Sequence, residues 1–178
     1  GRSWDAVYNR EHAVGFKWFI ESFGTNWRMT EMQAALGRVQ LAKLQDWVSV
    51  RRRNASILND RFSRIPALRV TLPPAHIGHA YYKYYVFVRP EQLRTGWNRD
   101  RILSTLLERG YPGSVGVCPE IYRELAFIQT GLAPAKRLPV ARELGETSLM
   151  FLVHPTLEPE HMHATADLVE EILAEASR

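Results

Sequence analysis

The most informative segment of the chain reads GTNWRMTEMQAA, residues 24–35, in which a glycine turn leads into the start of a helix. Thr30 and Gln33 have the spacing of a capping box, where each side chain binds the backbone amide of the other residue. Helix-forming residues follow until Pro66 stops them. The pattern therefore predicts one long helix over residues 30–65.

The apolar stripe of this helix changes face midway. Apolar residues recur at spacings of three and four, but the polar run RRRN at residues 51–54 interrupts them. A helix that changes its buried face often bridges two domains or bends. We therefore expect a bridging helix between an aromatic-rich leading segment, residues 1–29, and a small domain, residues 66–178.

Residues 66–178 alternate between short strand-like and helical segments. The residues of Tyr81–Val88 place side chains on two faces in turn, as a strand does. Further strands are predicted at 68–72, 111–117 and 148–153, and helices at 98–109, 120–127, 138–144 (ended by Gly145) and 159–176. Strands separated by helices predict the α/β class, as a two-layer α+β domain.

Composition excludes several classes of protein. The 178 residues are 46% hydrophobic and 24% charged, which is typical of a globular chain and not of a disordered one. No apolar run approaches the ~18 residues of a membrane span. Cys118 is the only cysteine, so no internal disulfide forms and a reducing, cytoplasmic setting is expected. The abrupt, aromatic start indicates a piece of a longer polypeptide.

Most common catalytic motifs are absent from the sequence. There is no P-loop, no G-x-G-x-x-G after a strand and no G-x-S-x-G elbow. The two close histidine pairs, at residues 76/79 and 161/163, lack a cysteine partner, so no metal site is predicted. Cys118 has no local base and is expected to be a packed thiol. His79 and His154 are better placed for a ligand pocket, although core or turn packing is the more ordinary role for each.

The turn before the long helix has the chemistry of an anion site. Helix starts present unpaired amides and the positive end of the helix dipole. Asn26 adds an amide donor and Arg28 adds a guanidinium. The alternative is a capped helix behind a packed loop.

Residues 24–35 resemble the G-x-N-Y/W-R-M-T/S-E-x-Q-A-A segment of the DegT/StrS family, which are pyridoxal-phosphate-dependent sugar aminotransferases. The resemblance continues through the long helix and reappears at residues 138–141 and 148–149. It implies the C-terminal small domain of the aspartate-aminotransferase-like (PLP-transferase) fold, preceded by a long interdomain helix. Residues 1–29 would then be the remnant of a large cofactor domain. A homodimer with an active site shared across subunits is also implied.

The resemblance assigns roles to particular residues. Asn26 would reach across the dimer to the phosphate of pyridoxal 5'-phosphate, and Arg28 would contribute to that pocket. An amino donor such as glutamate and a keto sugar or similar ketone would be the small-molecule partners, with no membrane or nucleic acid. We place the substrate pocket, as a prediction, at Trp27, His79, Tyr81, Cys118 and Tyr122.

The lysines of the chain bear on catalysis. An aminotransferase of this kind needs one lysine that binds the cofactor as a Schiff base. The chain has only Lys17, Lys43, Lys83 and Lys136, and none lies in the Ser/Thr-rich, glycine-followed segment that the family uses. We therefore expect the Schiff-base lysine upstream of Gly1 and no catalytic residue within this chain, which would be inactive alone.

One position departs from the family pattern. Where many members have P-L-H-x-Q, this chain has VGVCP at residues 115–119, and the family histidine falls on Val117. That departure argues against a typical nucleotide-linked keto sugar and leaves another keto sugar, a cyclitol ketone or a different carbonyl acceptor open.

The basic run supports a different class of function. Arg51–Arg53 and the tyrosines of residues 81–85 could form the surface of a non-catalytic interaction module or a nucleic-acid-binding module. The same run is more ordinarily a solvated helix face or an interdomain contact.

Overall fold

The computed structural model describes residues 3–11 and 28–177. The chain divides into two compact units, residues 1–42 and residues 43–178. The first contains helix α1, Trp4–Tyr8, whose first turn is capped by Ser3: the serine hydroxyl accepts a hydrogen bond from the amide of Ala6 at 3.1 Å.

The long helix α2, Glu31–Phe62, begins where the capping box predicts. The Gln33 amide donates to the Thr30 hydroxyl at 3.3 Å, and the Thr30 amide donates to the Gln33 side chain at 3.0 Å. The buried residues of α2 lie only in its second half, and they are Asn54, Ala55, Leu58 and Phe62. In the first half the predicted stripe is exposed, and Met32 and Leu36 are 77% and 64% accessible.

The second unit is built on a three-stranded antiparallel sheet in the order β1-β2-β3, namely Leu68–Val70, Tyr84–Val88 and Ser148–Phe151. The central strand pairs Val86 with Val70 on one side and with Leu149 on the other. Its alternate residues are buried, as the sequence pattern predicts.

Helices complete the second unit, and the mixed helix and sheet class is confirmed. They are α3 (Arg99–Glu108), α4 (Leu125–Gln129), α5 (Pro139–Thr147) and α6 (Pro159–Ala176). Asn98 caps α3, accepting from the Arg101 amide at 2.9 Å. Side chains from the end of α2, the sheet, α3 and α6 form one apolar core, including Leu58, Phe62, Val86, Ile102, Leu106, Phe151, Val169 and Leu173. None of the helices in the described ranges is long and apolar enough to cross a membrane.

Two sequence predictions that concern glycines of this unit are wrong. Residues 111–117 are not a strand and contribute only one bridge, Ser114 to Met150. Gly116 adopts a φ of +94° there, which breaks an extended run. Gly145 does not end α5, because it lies inside the helix, where a Cβ would come within 2.5 Å of Pro119. The glycine is used for close packing rather than for termination.

Candidate functional site

The segment predicted to bind phosphate is described only in part. Asn26 and Trp27 lie outside the described residues, whereas Arg28 is exposed just ahead of α2. The capping box occupies the Gln33 amide, and Glu31 places a carboxylate in the first helical turn. The helix start is therefore a weak anion site by itself.

The three consecutive arginines of α2 all donate hydrogen bonds to backbone carbonyl oxygens. Arg51 Nη1 donates to the carbonyl oxygens of Tyr82 at 2.9 Å and Tyr81 at 3.2 Å. Arg52 Nε donates to the carbonyl of His79 at 2.9 Å. Arg53 donates to Asn54 and to a carbonyl before α6, and it pairs with Glu158 at 3.5 Å. The run therefore fastens the turn at residues 79–82, together with the connection into α6, to the helix.

The turn that these arginines hold contains a strained residue. Tyr81 has a φ of +46°, and it is the one non-glycine residue with positive φ in the described ranges. A side chain in the left-handed region costs about 1–2 kcal/mol, so surrounding contacts must maintain it. The strain also explains why β2 begins at Tyr84 and not at Tyr81, where the sequence predicted its start.

Two of the predicted pocket residues meet in this turn. The Tyr81 amide donates to His79 Nδ1 at 3.2 Å, and the two rings lie edge to face with centroids 4.4 Å apart. Tyr81 is half-buried against the core and stacks on Tyr84, whose hydroxyl donates to Asn59 at 2.7 Å. Burial raises the pKa of Tyr84 above its ordinary value. The turn is therefore anchored on both sides, and His79 remains exposed.

The other two predicted pocket residues belong to a second cluster centred on Glu120. Glu120 is 6% exposed, and its carboxylate accepts from Tyr122, Arg123 and both nitrogens of the Arg137 fork. Hydrogen bonds from Arg137 and then Tyr122 lower the pKa of Glu120 to about 2. The Tyr122 hydroxyl also accepts from the Leu138 amide at 2.9 Å, which fixes the entry to α5. The Tyr122 hydroxyl therefore links Glu120 to the start of α5.

Cys118 lies beside this cluster in a small cavity. The cavity has a volume of about 310 Å³ and is lined by Cys118, Pro119, Glu120, Arg123 and Glu124. The thiol is exposed, so the prediction that it is packed is wrong, and it lies 3.5 Å from the Glu124 carboxylate, a weak hydrogen bond. Sequence reasoning missed Glu120 and Arg137 because 17 residues separate them and no local pattern links them.

The three described lysines lie at separate positions on the chain and are all at least partly exposed. Lys43 and Lys136 are exposed, and Lys83 lies half-buried with its ammonium 6.0 Å from the Tyr82 ring centroid. Lys17 lies outside the described residues. His154 is also exposed, and it bonds locally to Thr156 at 2.9 Å. Within the described ranges, no group of three or more His, Cys, Asp or Glu side chains could hold a metal ion.

Comparison with known proteins identifies the family. The model of the DegT/DnrJ/EryC1/StrS aminotransferase family matches residues 5–170. The chain belongs to this family. The resemblance seen at residues 24–35 is thereby confirmed, and membership indicates pyridoxal phosphate as the cofactor.

Among solved structures, this family member is similar to the aminotransferase from Psychrobacter cryohalolentis, with 46% identity and a TM-score of 0.83 over 98% of the chain. Among curated proteins, it is 29% identical over 154 residues to dTDP-4-dehydro-2,3,6-trideoxy-D-glucose 4-aminotransferase of Saccharopolyspora spinosa, covering 83% of this chain. It is 32% identical over 88% of the chain to the erythromycin biosynthesis sensory transduction protein EryC1 of Saccharopolyspora erythraea. The chain spans 46%, 36% and 41% of the lengths of these three proteins, respectively.

Proposed function

We propose that this chain is the C-terminal part of a pyridoxal-phosphate-dependent aminotransferase that moves an amino group from a donor such as glutamate to a keto sugar or similar ketone. The observation that supports this most strongly is the 46% identity over 98% of the chain to the Psychrobacter aminotransferase. Identity at this level over nearly the whole chain, with a TM-score of 0.83, makes a shared chemistry the natural inference.

We further propose how the chain is organised within that enzyme. Residues 1–29 belong to the large cofactor domain, residues 30–65 form the bridging helix, and residues 66–178 form the small C-terminal domain. The confinement of buried residues to the second half of α2 supports this division, since the first half leaves its apolar stripe exposed. Such a stripe is typical of a surface that another part of a protein covers.

When bound, pyridoxal phosphate supplies an electron sink for the reaction and carries the amino group from donor to acceptor. In this proposal Asn26 and Arg28 bind its phosphate from a second copy of the protein, so the active form is a homodimer. The exposed Arg28 guanidinium fits that role, because it precedes the helix start without being buried in the described core. The lysine that holds the cofactor lies outside these 178 residues, and the chain alone is inactive.

The acceptor is proposed to be a sugar ketone. One relative is named for a dTDP-linked dehydro sugar, and this supports the carbohydrate class for the present chain. The turn with His79 and Tyr81, and the cluster with Cys118 and Tyr122, are the proposed surfaces facing that acceptor. We propose a cytoplasmic setting, consistent with a single, unpaired cysteine.

The nucleic-acid-binding alternative is not favoured. The guanidinium groups of residues 51–53 donate hydrogen bonds to the carbonyl oxygens of residues 79, 81, 82 and 157. Guanidiniums fixed on backbone are poorly available for bidentate phosphate contacts along a nucleic acid.

The proposal is tested on the full-length gene product by titrating pyridoxal phosphate into wild type and Arg28→Ala. Loss of a charge-assisted phosphate contact is expected to weaken cofactor binding about tenfold, equivalent to ~1.4 kcal/mol. The matched control is Arg38→Ala, an exposed arginine further along α2, which should leave the affinity unchanged. Amine transfer from L-glutamate to pyridoxal phosphate is then followed by the change in its visible absorption. Absence of any such change in the wild type would contradict the proposed function.

A further inference from the structure

Three of the five histidines in the described ranges use the same ring nitrogen to accept a hydrogen bond from a backbone amide. His79 Nδ1 accepts from the Tyr81 amide at 3.2 Å, and His154 Nδ1 accepts from the Thr156 amide at 3.3 Å. In both cases the amide lies two residues beyond the histidine. This is the pattern of an Asx turn, with an imidazole nitrogen in place of the asparagine oxygen.

The third histidine caps a helix. His161 occupies the third position of α6, and its Nδ1 accepts from the amide of the N-cap residue, Glu158, at 3.1 Å. Glutamate or glutamine ordinarily fills this position in a capping box. A neutral imidazole thus replaces a side-chain oxygen as the acceptor at all three places.

These hydrogen bonds exist only while the imidazole is neutral. Nδ1 accepts when the single ring proton lies on Nε2, whereas both ring nitrogens are donors in the imidazolium. Protonation therefore removes the bond and places two N–H groups opposite each other, and histidine changes its charge between pH 5 and 8. At His154 the loss is smaller, because a protonated Nδ1 can donate to the Thr156 hydroxyl, which lies 2.9 Å away.

The charges around His79 oppose its protonation. On α2, Arg52 Nε lies 2.9 Å from the His79 carbonyl oxygen, and Arg51 donates to the Tyr81 carbonyl at 3.2 Å. The Tyr81 ring, which meets the imidazole edge to face at 4.4 Å, carries no charge at neutral pH. The sequence has no Asp or Glu in residues 62–89. An imidazolium here would therefore add to positive charge.

The charges around His161 are mixed. Glu158 and Glu160 at the start of α6 favour an imidazolium, whereas the positive end of the helix dipole opposes it. Arg53 of α2 already pairs with Glu158 at 3.5 Å, so that carboxylate compensates little for a lost capping bond. The titratable or charged side chains that line the cavity beside His161 are Arg109 and Tyr111.

All three histidines lie in segments that α2 holds by their carbonyl oxygens. The His79 carbonyl accepts from Arg52. The Asn54 side chain donates to the carbonyls of His154 at 3.4 Å and Leu157 at 2.9 Å, just ahead of α6. Each segment is thus fixed twice, once by a side chain of α2 and once by a neutral histidine.

We propose that His79 and His161, with a smaller contribution from His154, make the attachment of these two segments to α2 sensitive to acid. The segments are closed while the imidazoles are neutral and loosen as the pH falls from about 7 to about 5. Loosening of the first segment also lets Tyr81 leave its strained left-handed conformation, which favours the open form. Neither a cofactor nor a substrate takes part, so the inference stands apart from the proposed function.

The test is hydrogen–deuterium exchange of the full-length gene product at pH values of about 7.5 and about 5.5, followed by mass spectrometry. Comparing each observed rate with the intrinsic rate at the same pH gives a protection factor, which removes the chemical effect of pH on exchange. We expect the protection factors of the Tyr81 and Glu158 amides to fall about fivefold at the lower pH, which corresponds to one net hydrogen bond.

Two variants keep an acceptor in place of Nδ1 but do not titrate. His79→Asn should abolish the fall in protection at the Tyr81 amide, and His161→Gln should abolish it at the Glu158 amide. The matched controls are His76→Asn and His163→Gln, because these two histidines are exposed and make no side-chain hydrogen bond to a described residue. Both controls should keep the pH dependence of the wild type.

Equal protection factors at the two pH values in the wild type would overturn the inference. An unchanged fall in both His79→Asn and His161→Gln would also overturn it, because another group would then be titrating. Nitrogen NMR of the histidine-labelled wild type is a second measurement that requires no variant to fold. At a pH of about 8 the rings of His79 and His161 should carry their proton on Nε2, and a proton on Nδ1 would contradict the inference.

Discussion

Replacing Asn54 with leucine is expected to destabilise the second unit by about 2 kcal/mol, although leucine is apolar and similar in size. Asn54 is fully buried on α2. Its amide nitrogen donates to the Leu157 carbonyl at 2.9 Å, and its oxygen accepts from Arg53 Nη2 at 3.1 Å. The side chain thus joins the helix to the connection that leads into α6.

The magnitude follows from these contacts. The Asn54 side chain makes four hydrogen bonds, and the two shortest, at 2.9 and 3.1 Å, each contribute about 1 kcal/mol net to stability. The larger penalty for a carbonyl left without any donor is not expected, because Arg53 Nη2 also donates to the Leu157 oxygen at 3.3 Å. Burial of the new isobutyl group offsets little, since Asn54 already fills its site in the core.

Urea unfolding followed by circular dichroism measures the effect. With a slope of about 2 kcal/mol/M, the midpoint should fall by roughly 1 M. Gln45→Leu, at an exposed position on the same helix, is the control and should shift the free energy of unfolding by less than about 0.5 kcal/mol. A shift for Asn54→Leu as small as that of the control would refute the assignment of these hydrogen bonds as stabilising.

Further predictions concern pH, backbone strain and association. Because the pKa of Glu120 is lowered, its ion-pair cluster stabilises the fold fully above pH about 4.5 and loses that effect as the pH falls toward 2. The difference in unfolding free energy between wild type and Glu120→Gln should therefore disappear over that interval in acid titrations. Gly116→Ala should lower the melting temperature more than Gly110→Ala does. Both residues have positive φ, but only at Gly116 would the new Cβ lie 2.4 Å from the Tyr85 hydroxyl. Equal losses of stability would count against that packing. The exposed stripe on the first half of α2 should drive concentration-dependent association in light scattering, and Leu36→Glu should reduce it, whereas an unchanged scattering profile would show that the stripe is not responsible.

Several elements of the fold are predictable from sequence because their determinants are local. The capping box of α2 and the Asn98 cap of α3 each join residues three apart, and the capping box forms as predicted. The closing helix, α6, has the predicted bounds, since its apolar spacing and starting proline lie within the helix itself. Such signals depend little on the rest of the molecule.

Other elements depend on contacts that no local pattern contains. Residues 111–117 resemble a strand, yet Gly116 is turned by its packing on Tyr85. Gly145 resembles a helix terminator, yet it makes room for Pro119. In both cases a distant side chain determines what the glycine does, and intrinsic preference is overridden by tertiary packing.

The same distinction between local signals and distant contacts applies to the candidate site. The segment at residues 24–35 is recognisable by its resemblance to the family motif, whereas the role of Arg51–Arg53 is not apparent from the sequence. A basic run on a helix suggests a solvated or nucleic-acid-binding face, and only the fold brings the carbonyls of residues 79–82 against it. The positive φ of Tyr81 has no sequence signal, because tyrosine ordinarily avoids that region.

The proposal that the cofactor lysine lies outside this chain is tested most directly by borohydride reduction. The full-length gene product is loaded with pyridoxal phosphate and reduced, and the labelled lysine is mapped by mass spectrometry. We expect one stoichiometrically labelled lysine that is none of Lys17, Lys43, Lys83 and Lys136. Stoichiometric label on one of these four would place the covalent cofactor site within the present chain and contradict the account. No labelled lysine, with no visible absorption from bound cofactor, would contradict the assignment of aminotransferase chemistry itself.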